Sequence, residues 1–464
     1  MALLPVHFLK LYDNMKKKSR GRIKMSSYVT KKTPADTSWL THDRFGMFIH
    51  FGLYSMPARH EWIKCFEKIS EEKYDLYFKH FNPDLFDARE WAKSAKKAGM
   101  KYAILTTKHH EGFCLFDSKF TDYKITNTPF GRDLVKEYVE AFRAEGIKIG
   151  FYYSLIDWHH PQFPIDRIHP RRDDPDAEEQ NRNRDMKAYA EYMRNQVTEL
   201  LTNYGKIDVL WFDFSYDFPD PEHDLPWMLN KGKDQWESKK LIDLIRSLQP
   251  DILINDRTGV DQDTKTPEQR QLLEWPKDKE TGELLVWEAC HTFSGSWGYN
   301  RDEMTWKSPK MLIDLLVNTV SIGGNLLMNV GPTSRGNFDK RASNSLKVYE
   351  DWMKYNSRSI YGCTMAEPRF LGITPRGTRL TQSIDGKRLY IHLLEYPYAY
   401  LEMPYMAGQI EYAQFLHDGS EILFTEGELV HLGNKQKEED HLVIFQLPAV
   451  KPDIINPVIE LILK

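Results

Sequence analysis

The chain has 464 residues, more than one ordinary domain needs and enough for a large barrel with a smaller module. Its 63 Lys and Arg against 67 Asp and Glu leave a net charge of −4, which argues against a basic nucleic-acid-binding surface. Hydrophobic residues at 41% permit a large core, and aromatic residues at 13% offer flat rings on which apolar sugar faces stack.

Residues 1–33 are basic and poorly patterned, and are expected to form an N-terminal arm. The apolar start is broken by Pro5 and His7, and Lys16, Lys17 and Lys18 follow it, whereas a secretory signal places its basic residues first. No run approaches the length of a membrane span. Cys65, Cys114, Cys290 and Cys363 are scattered with no CxxC pair, which reads as reduced thiols in an intracellular protein. A cytoplasmic location and no membrane partner are the expectation.

From 34 to 365, short apolar runs alternate with long amphipathic stretches. The strand candidates are 46–52 (GMFIHFG), 102–108 (YAILTTK), 148–154 (KIGFYYS), 207–213 (IDVLWFD), 252–257 (ILINDR), 285–290 (LVWEAC) and 324–331 (GNLLMNVG). Helical patterns such as 87–99 (DAREWAKSAKKAG) and 132–146 (RDLVKEYVEAFRAEG) lie between them. Strand and helix in strict alternation predict an α/β chain folded as a (β/α)8-like, TIM-type barrel, with seven strands clear and the eighth hidden or degraded. The charge run 167–184 (RIHPRRDDPDAEEQNRNR) reads as a solvated loop over the barrel mouth. From 366 to 464 the texture changes to short β-rich segments split by turn residues, which predicts a C-terminal antiparallel β-sandwich.

Catalytic groups of such a barrel stand at the C-terminal ends of its strands. Those ends carry His50, Lys108-His109-His110, Tyr153, Asp213, Arg257 and Glu288. Asp213 closes an apolar run, and Trp211, two residues earlier, shares its face. An Asp capping the next helix is the plainer alternative. For His109 and His110 the rival is a barrel metallohydrolase. Neighbours in a strand point to opposite faces, so both reach one ion only from a distorted loop, and a neutral imidazole matches a sugar hydroxyl with one donor and one acceptor. His159 and His160, beside Pro161, read as loop residues without a catalytic role.

The ordered series FGMFIHFGLYSMPARHEW, KYAILTTKHHEGFCLFDS, DVLWFD, INDR, TPEQ, WEACHTFSGSWGYN and GGNLLMNVGP resembles glycoside hydrolase family 29, the α-L-fucosidases, from about residue 45 to 362. The resemblance implies a barrel followed by a β-sandwich, a retaining double displacement, no cofactor and no metal. It makes Asp213 the nucleophile and His50, Glu61, Trp62, His109, His110, Tyr153, Trp211 and Arg257 the fucose-binding set, with Trp297 lining the pocket. Glu268 in TPEQ matches the segment that often carries the acid/base. Glu288 is the alternative for that role, and otherwise joins the substrate-binding set by orienting loops or contacting Arg257. After the nucleophile, many members have glycine or methionine where this chain reads FDFSYDF. The partner implied is a fucosylated oligosaccharide substrate, with homo-oligomerisation left open.

Overall fold

The structure, a computed structural model, describes residues 28–216, 230–426 and 442–464. The expected arm falls outside these up to residue 27. Seven parallel strands form the first sheet: β1 (Phe45–Ile49), β2 (Tyr102–Lys108), β3 (Lys148–Ser154), β4 (Val209–Asp213), β5 (Leu253–Ile254), β6 (Glu288–Thr292) and β7 (Asn325–Val330). Their order is β5-β4-β3-β2-β1-β7-β6, with α-helices between consecutive strands except from β5 to β6, where only a 3-10 turn, Asp256–Thr258, intervenes. Helix starts are set locally. Asp133 accepts from the Lys136 N–H at 2.9 Å and Asp339 from the Ala342 N–H at 2.8 Å, and Ser308 caps a helix with Pro309 in its first turn.

The missing eighth strand is the segment 264–268. It pairs in parallel with both open edges, Thr264 with Asn255 and Lys265 and Glu268 with Trp287 and Cys290. Lys265 N–H donates to Val286, Glu288 N–H to Lys265, Cys290 N–H to Pro267, and Gln269 N–H to Cys290. The rung from residue 267 to the Glu288 carbonyl is absent because Pro267 has no N–H, so the segment closes the barrel without forming a regular strand.

Alternation along the strands separates two cores. Met47, Ile49, Leu105, Phe151, Tyr153 and Phe212 pack outward among the helices, while Phe48, Tyr102, Ile104, Tyr152, Trp211, Cys290 and Leu327 fill the barrel. Gly46 makes room on the floor, since a Cβ there would stand 2.4 Å from the Tyr102 ring.

The remaining strands build a five-stranded antiparallel sheet, ordered β12-β15-β10-β9-β8, and a three-stranded one, ordered β11-β14-β13. These are β8 (Cys363–Met365), β9 (Thr378–Ser383), β10 (Arg388–Leu393), β11 (Tyr400–Met403), β12 (Ile410–Phe415), β13 (Phe424–Glu426), β14 (Val443–Gln446) and β15 (Val458–Leu463). A separate apolar core, with Leu380, Ile391, Met403, Phe415 and Phe445, lies between them as in a sandwich. Its first strand starts just ahead of the expected boundary at 366. Among the described residues, no helix is long and apolar enough to cross a membrane.

Candidate active site

Asp213 is the last residue of β4 and is 8% exposed. One carboxylate oxygen accepts from Arg257 Nη1 at 2.8 Å and the other from the Tyr152 hydroxyl at 2.9 Å. Arg257 sits on the turn after β5, with its guanidinium 4.5 Å from the centre of the Trp211 ring. The same Nη1 holds Glu268 Oε2 at 2.7 Å. Because both bonds end on one nitrogen, the two carboxylate oxygens stand at most about 5.5 Å apart, closer than the gap an inverting pair leaves for its water. Burial opposes the charge on Arg257, but its neighbours, Asp213 foremost, then Cys290 and Glu268, outweigh it and raise its pKa.

Glu268 reaches this position because Thr266 and Glu268, two apart in the extended segment, share a face, and Thr266 also accepts from Arg257 Nε at 3.1 Å. The TPEQ segment is thus both the closing strand and the carrier of the second carboxylate.

The register decides which tyrosine joins. β3 pairs with β4 so that Tyr152 lies beside Trp211 and Ser154 beside Asp213. Tyr153, expected at the site, faces the helices instead, and its hydroxyl donates to Gln196 at 2.7 Å. Tyr152 is the residue that reasoning from the strand end missed. The cause is the period of two: a one-residue shift moves a side chain through the sheet.

Glu288 is also displaced from its expected place. β6 starts rather than ends at Glu288, which puts the carboxylate near the barrel floor, where the Tyr102 hydroxyl donates to it at 2.5 Å. Burial pushes its carboxyl up to about 7, and the Tyr102 hydrogen bond offsets only part of this.

An irregularity in β2 between Thr106 and Lys108 turns Lys108 out to Asp157 and the Tyr153 ring. His109 and His110 follow the strand rather than lying in it, and a left-handed Gly112 (φ 83°) closes their turn. Both rings therefore reach the site, 4.0 Å apart. His109 lies nearly parallel to Tyr152, with centres 5.5 Å apart, and His110 Nε2 is 3.9 Å from Asp213. His50 stands 5.5 Å from His109 and 5.1 Å from Trp297.

Two of these imidazoles have their tautomer set by partners behind them. The Asn329 amide nitrogen donates to the Trp297 carbonyl, so its oxygen faces His50 Nδ1 at 2.6 Å and accepts a hydrogen bond from its N–H. Ser154 donates to the Ile156 carbonyl at 2.8 Å, so its oxygen accepts from His110 Nδ1 at 2.6 Å. Burial, first, and the neighbouring His109 then hold both pKa values well below the ordinary imidazole range. Both rings are neutral, with Nε2 unprotonated. Among the described residues, no group of three or more His, Cys, Asp or Glu is arranged to hold a metal ion.

Glu61 closes another side, accepting from the Gly298 N–H at 2.9 Å. A Cβ at Gly298 would meet the Tyr54 ring at 2.9 Å, which is why glycine stands there. Trp62 packs against His110, Trp158 and Phe214, with centres 4.9, 5.2 and 5.1 Å away. Phe214 follows Asp213 with φ 71°, a left-handed backbone that a bulky residue adopts at a cost of about 1–2 kcal/mol. His159 stacks on Tyr123 and His160 lies tilted against Tyr192, away from Asp213.

Two adjacent carboxylates, several imidazoles and aromatic rings, all gathered at the C-terminal end of a barrel sheet, define a glycoside hydrolase. The α-L-fucosidase family model matches residues 11–358, and the chain belongs to that family. The human plasma α-L-fucosidase is 30% identical over 400 residues, covering 78% of this chain and 76% of the relative. α-L-Fucosidase isoenzyme 1 from Paenibacillus thiaminolyticus superposes with a TM-score of 0.83 at 44% identity, over 92% of this chain and 98% of that one. A covalent intermediate of a family 29 α-L-fucosidase from Bacteroides thetaiotaomicron, trapped with 2-fluoro-fucosyl fluoride, gives 0.75 at 27% identity, over 96% and 99%.

Proposed function

We propose that the chain is an exo-acting, retaining α-L-fucosidase that releases L-fucose from fucosylated oligosaccharides or glycoconjugates. The observation that carries this reading is Arg257, which holds Asp213 and Glu268 on one nitrogen. Asp213 attacks C1 and the bond from C1 to the glycosidic oxygen breaks, while Glu268 protonates the departing oxygen. Water, deprotonated by Glu268, then displaces Asp213 from C1 and releases fucose. Glu268 must leave Arg257 to meet the glycosidic oxygen, and its side chain, 40% exposed, has the room. Glu288 is disfavoured for this role because it lies beside Tyr102 on the barrel floor. His50, His109, His110 and Glu61 would bind hydroxyls, with Trp62, Trp211 and Trp297 walling the pocket.

The test is a pair of variants assayed on aryl fucosides and on a natural oligosaccharide. Asp213→Asn should lose several orders of magnitude in kcat while staying folded. Glu268→Ala should cripple oligosaccharide cleavage yet keep the first step with a good leaving group, and azide should accelerate it, giving β-fucosyl azide. That behaviour in Glu288→Ala, and not in Glu268→Ala, would exchange the two roles. A cytoplasmic location is part of the proposal, supported by four buried, unpaired thiols and checked by cell fractionation.

A further inference from the structure

His50 and His110 are held from behind by neutral groups, Asn329 and Ser154. His109 is different. Its Nδ1 has no hydrogen-bond partner and instead lies 3.5 Å from Oε2 of Glu111. Glu111 is 1% exposed, and neither of its oxygens has a hydrogen-bond partner among the described residues. A buried carboxylate in that condition demands a physical account. Gly52 leaves space for it, since a Cβ there would stand 2.8 Å from Oε1. The phenols of Tyr54, Tyr74 and Tyr123 surround it closely enough to feel its charge, yet none donates to it. The imidazole edge is the remaining donor. An unprotonated Nδ1 would turn its lone pair on the carboxylate, whereas Nδ1–H points a positive dipole end at it.

We propose that Glu111 is the positioning residue that fixes His109 as the Nδ1–H tautomer. The site then presents three acceptors, the Nε2 atoms of His50, His109 and His110, to the hydroxyl protons of the sugar. This rests on the pocket being a fucose site, but the tautomers do not depend on turnover. Glu111 touches no reacting atom. It acts through His109, as the carboxylate behind a metal-bound histidine sets which ring nitrogen is free.

The measurement is two-bond ¹H–¹⁵N correlation of the full chain labelled with ¹⁵N-histidine, each ring assigned by the cross-peaks lost in His50→Asn, His109→Asn or His110→Asn. The expected wild-type result is a protonated Nδ1 and a bare Nε2 on all three rings. A protonated Nε2 on His109 overturns the proposal in the wild-type protein, whatever any variant does. Glu111→Gln, whose amide can donate to Nδ1, should move His109 toward Nε2–H. It should also weaken binding of a fucose-configured iminosugar by about tenfold, the loss of one well-placed hydrogen bond, raising KM more than it lowers kcat. Glu111→Asp, which keeps the charge, should retain Nδ1–H. If Glu111→Gln folds and leaves both the His109 spectrum and iminosugar affinity unchanged, Glu111 does not set the tautomer. If the three Nδ1–H tautomers are present but no aryl fucoside is cleaved, the assignment stands and the functional reading fails.

Discussion

In Glu288→Gln the amide oxygen can still accept from Tyr102, while the proton that Glu288 takes up on folding is removed. Burial raises the Glu288 carboxyl from an ordinary 4.5 to about 7. Between those two values the folded chain holds a proton that the unfolded chain has released. The native state then binds more protons than the unfolded one, so stability falls as pH rises through this window and levels off above it. A displacement of that size, at 1.36 kcal/mol per pH unit, amounts to about 3 kcal/mol. Urea unfolding of wild type and Glu288→Gln, followed by intrinsic fluorescence from pH 4.5 to 8, isolates the contribution from every other titrating group. The variant should gain on the wild type by about 3 kcal/mol across the range, most of it between pH 5 and 7. Parallel curves would mean that Glu288 titrates in the folded protein as it does in the unfolded chain, and that burial on the barrel floor does not raise its carboxyl.

Two further outcomes test the site geometry. Tyr152→Phe removes a hydrogen bond to the Asp213 carboxylate and should lower kcat by one to two orders of magnitude, about 1.5–3 kcal/mol, while Tyr153→Phe should cost about 1 kcal/mol of stability and leave kcat near wild type; the reverse pattern in steady-state kinetics would refute the strand register. Because His50 and His110 are held well below the ordinary imidazole range, the ring ¹⁵N shifts of these two residues should stay flat from pH 5 to 7.5, and a transition centred near 6.5 at either ring would show that it takes up a proton.

The class of fold was legible because strand and helix periodicities differ and alternate along most of the barrel, the stretch from β5 to β6 excepted. Asp213 and His50 were legible because each directly follows an apolar run at a strand end, but Lys108 ends such a run too and turns out to Asp157, so residue type at a strand end does not by itself decide where a side chain points. Glu111 sat inside a quoted motif, HHEG, yet nothing local distinguishes a carboxylate that touches a sugar from one that stands behind a histidine.

What the chain order determines by itself is the alternation of elements and the chemical type at each strand end. The tertiary structure decided everything that depends on pairing. The choice of Tyr152 over Tyr153 follows from the register of β3 against β4, a relation between residues about sixty apart in sequence. The floor position of Glu288 follows from where β6 starts beside β7. The eighth strand escaped periodicity because residues 264–268, TKTPE, include no aliphatic or aromatic side chain to alternate, and the segment is held by neighbours on both sides rather than by its own pattern. Asp213 and Glu268 are 55 positions apart, and only closure of the barrel brings both onto one nitrogen of Arg257. Hydrogen-bond rungs and ion pairs act through space over a few ångströms, and a linear order of residues carries no such distances until the sheet has curled shut.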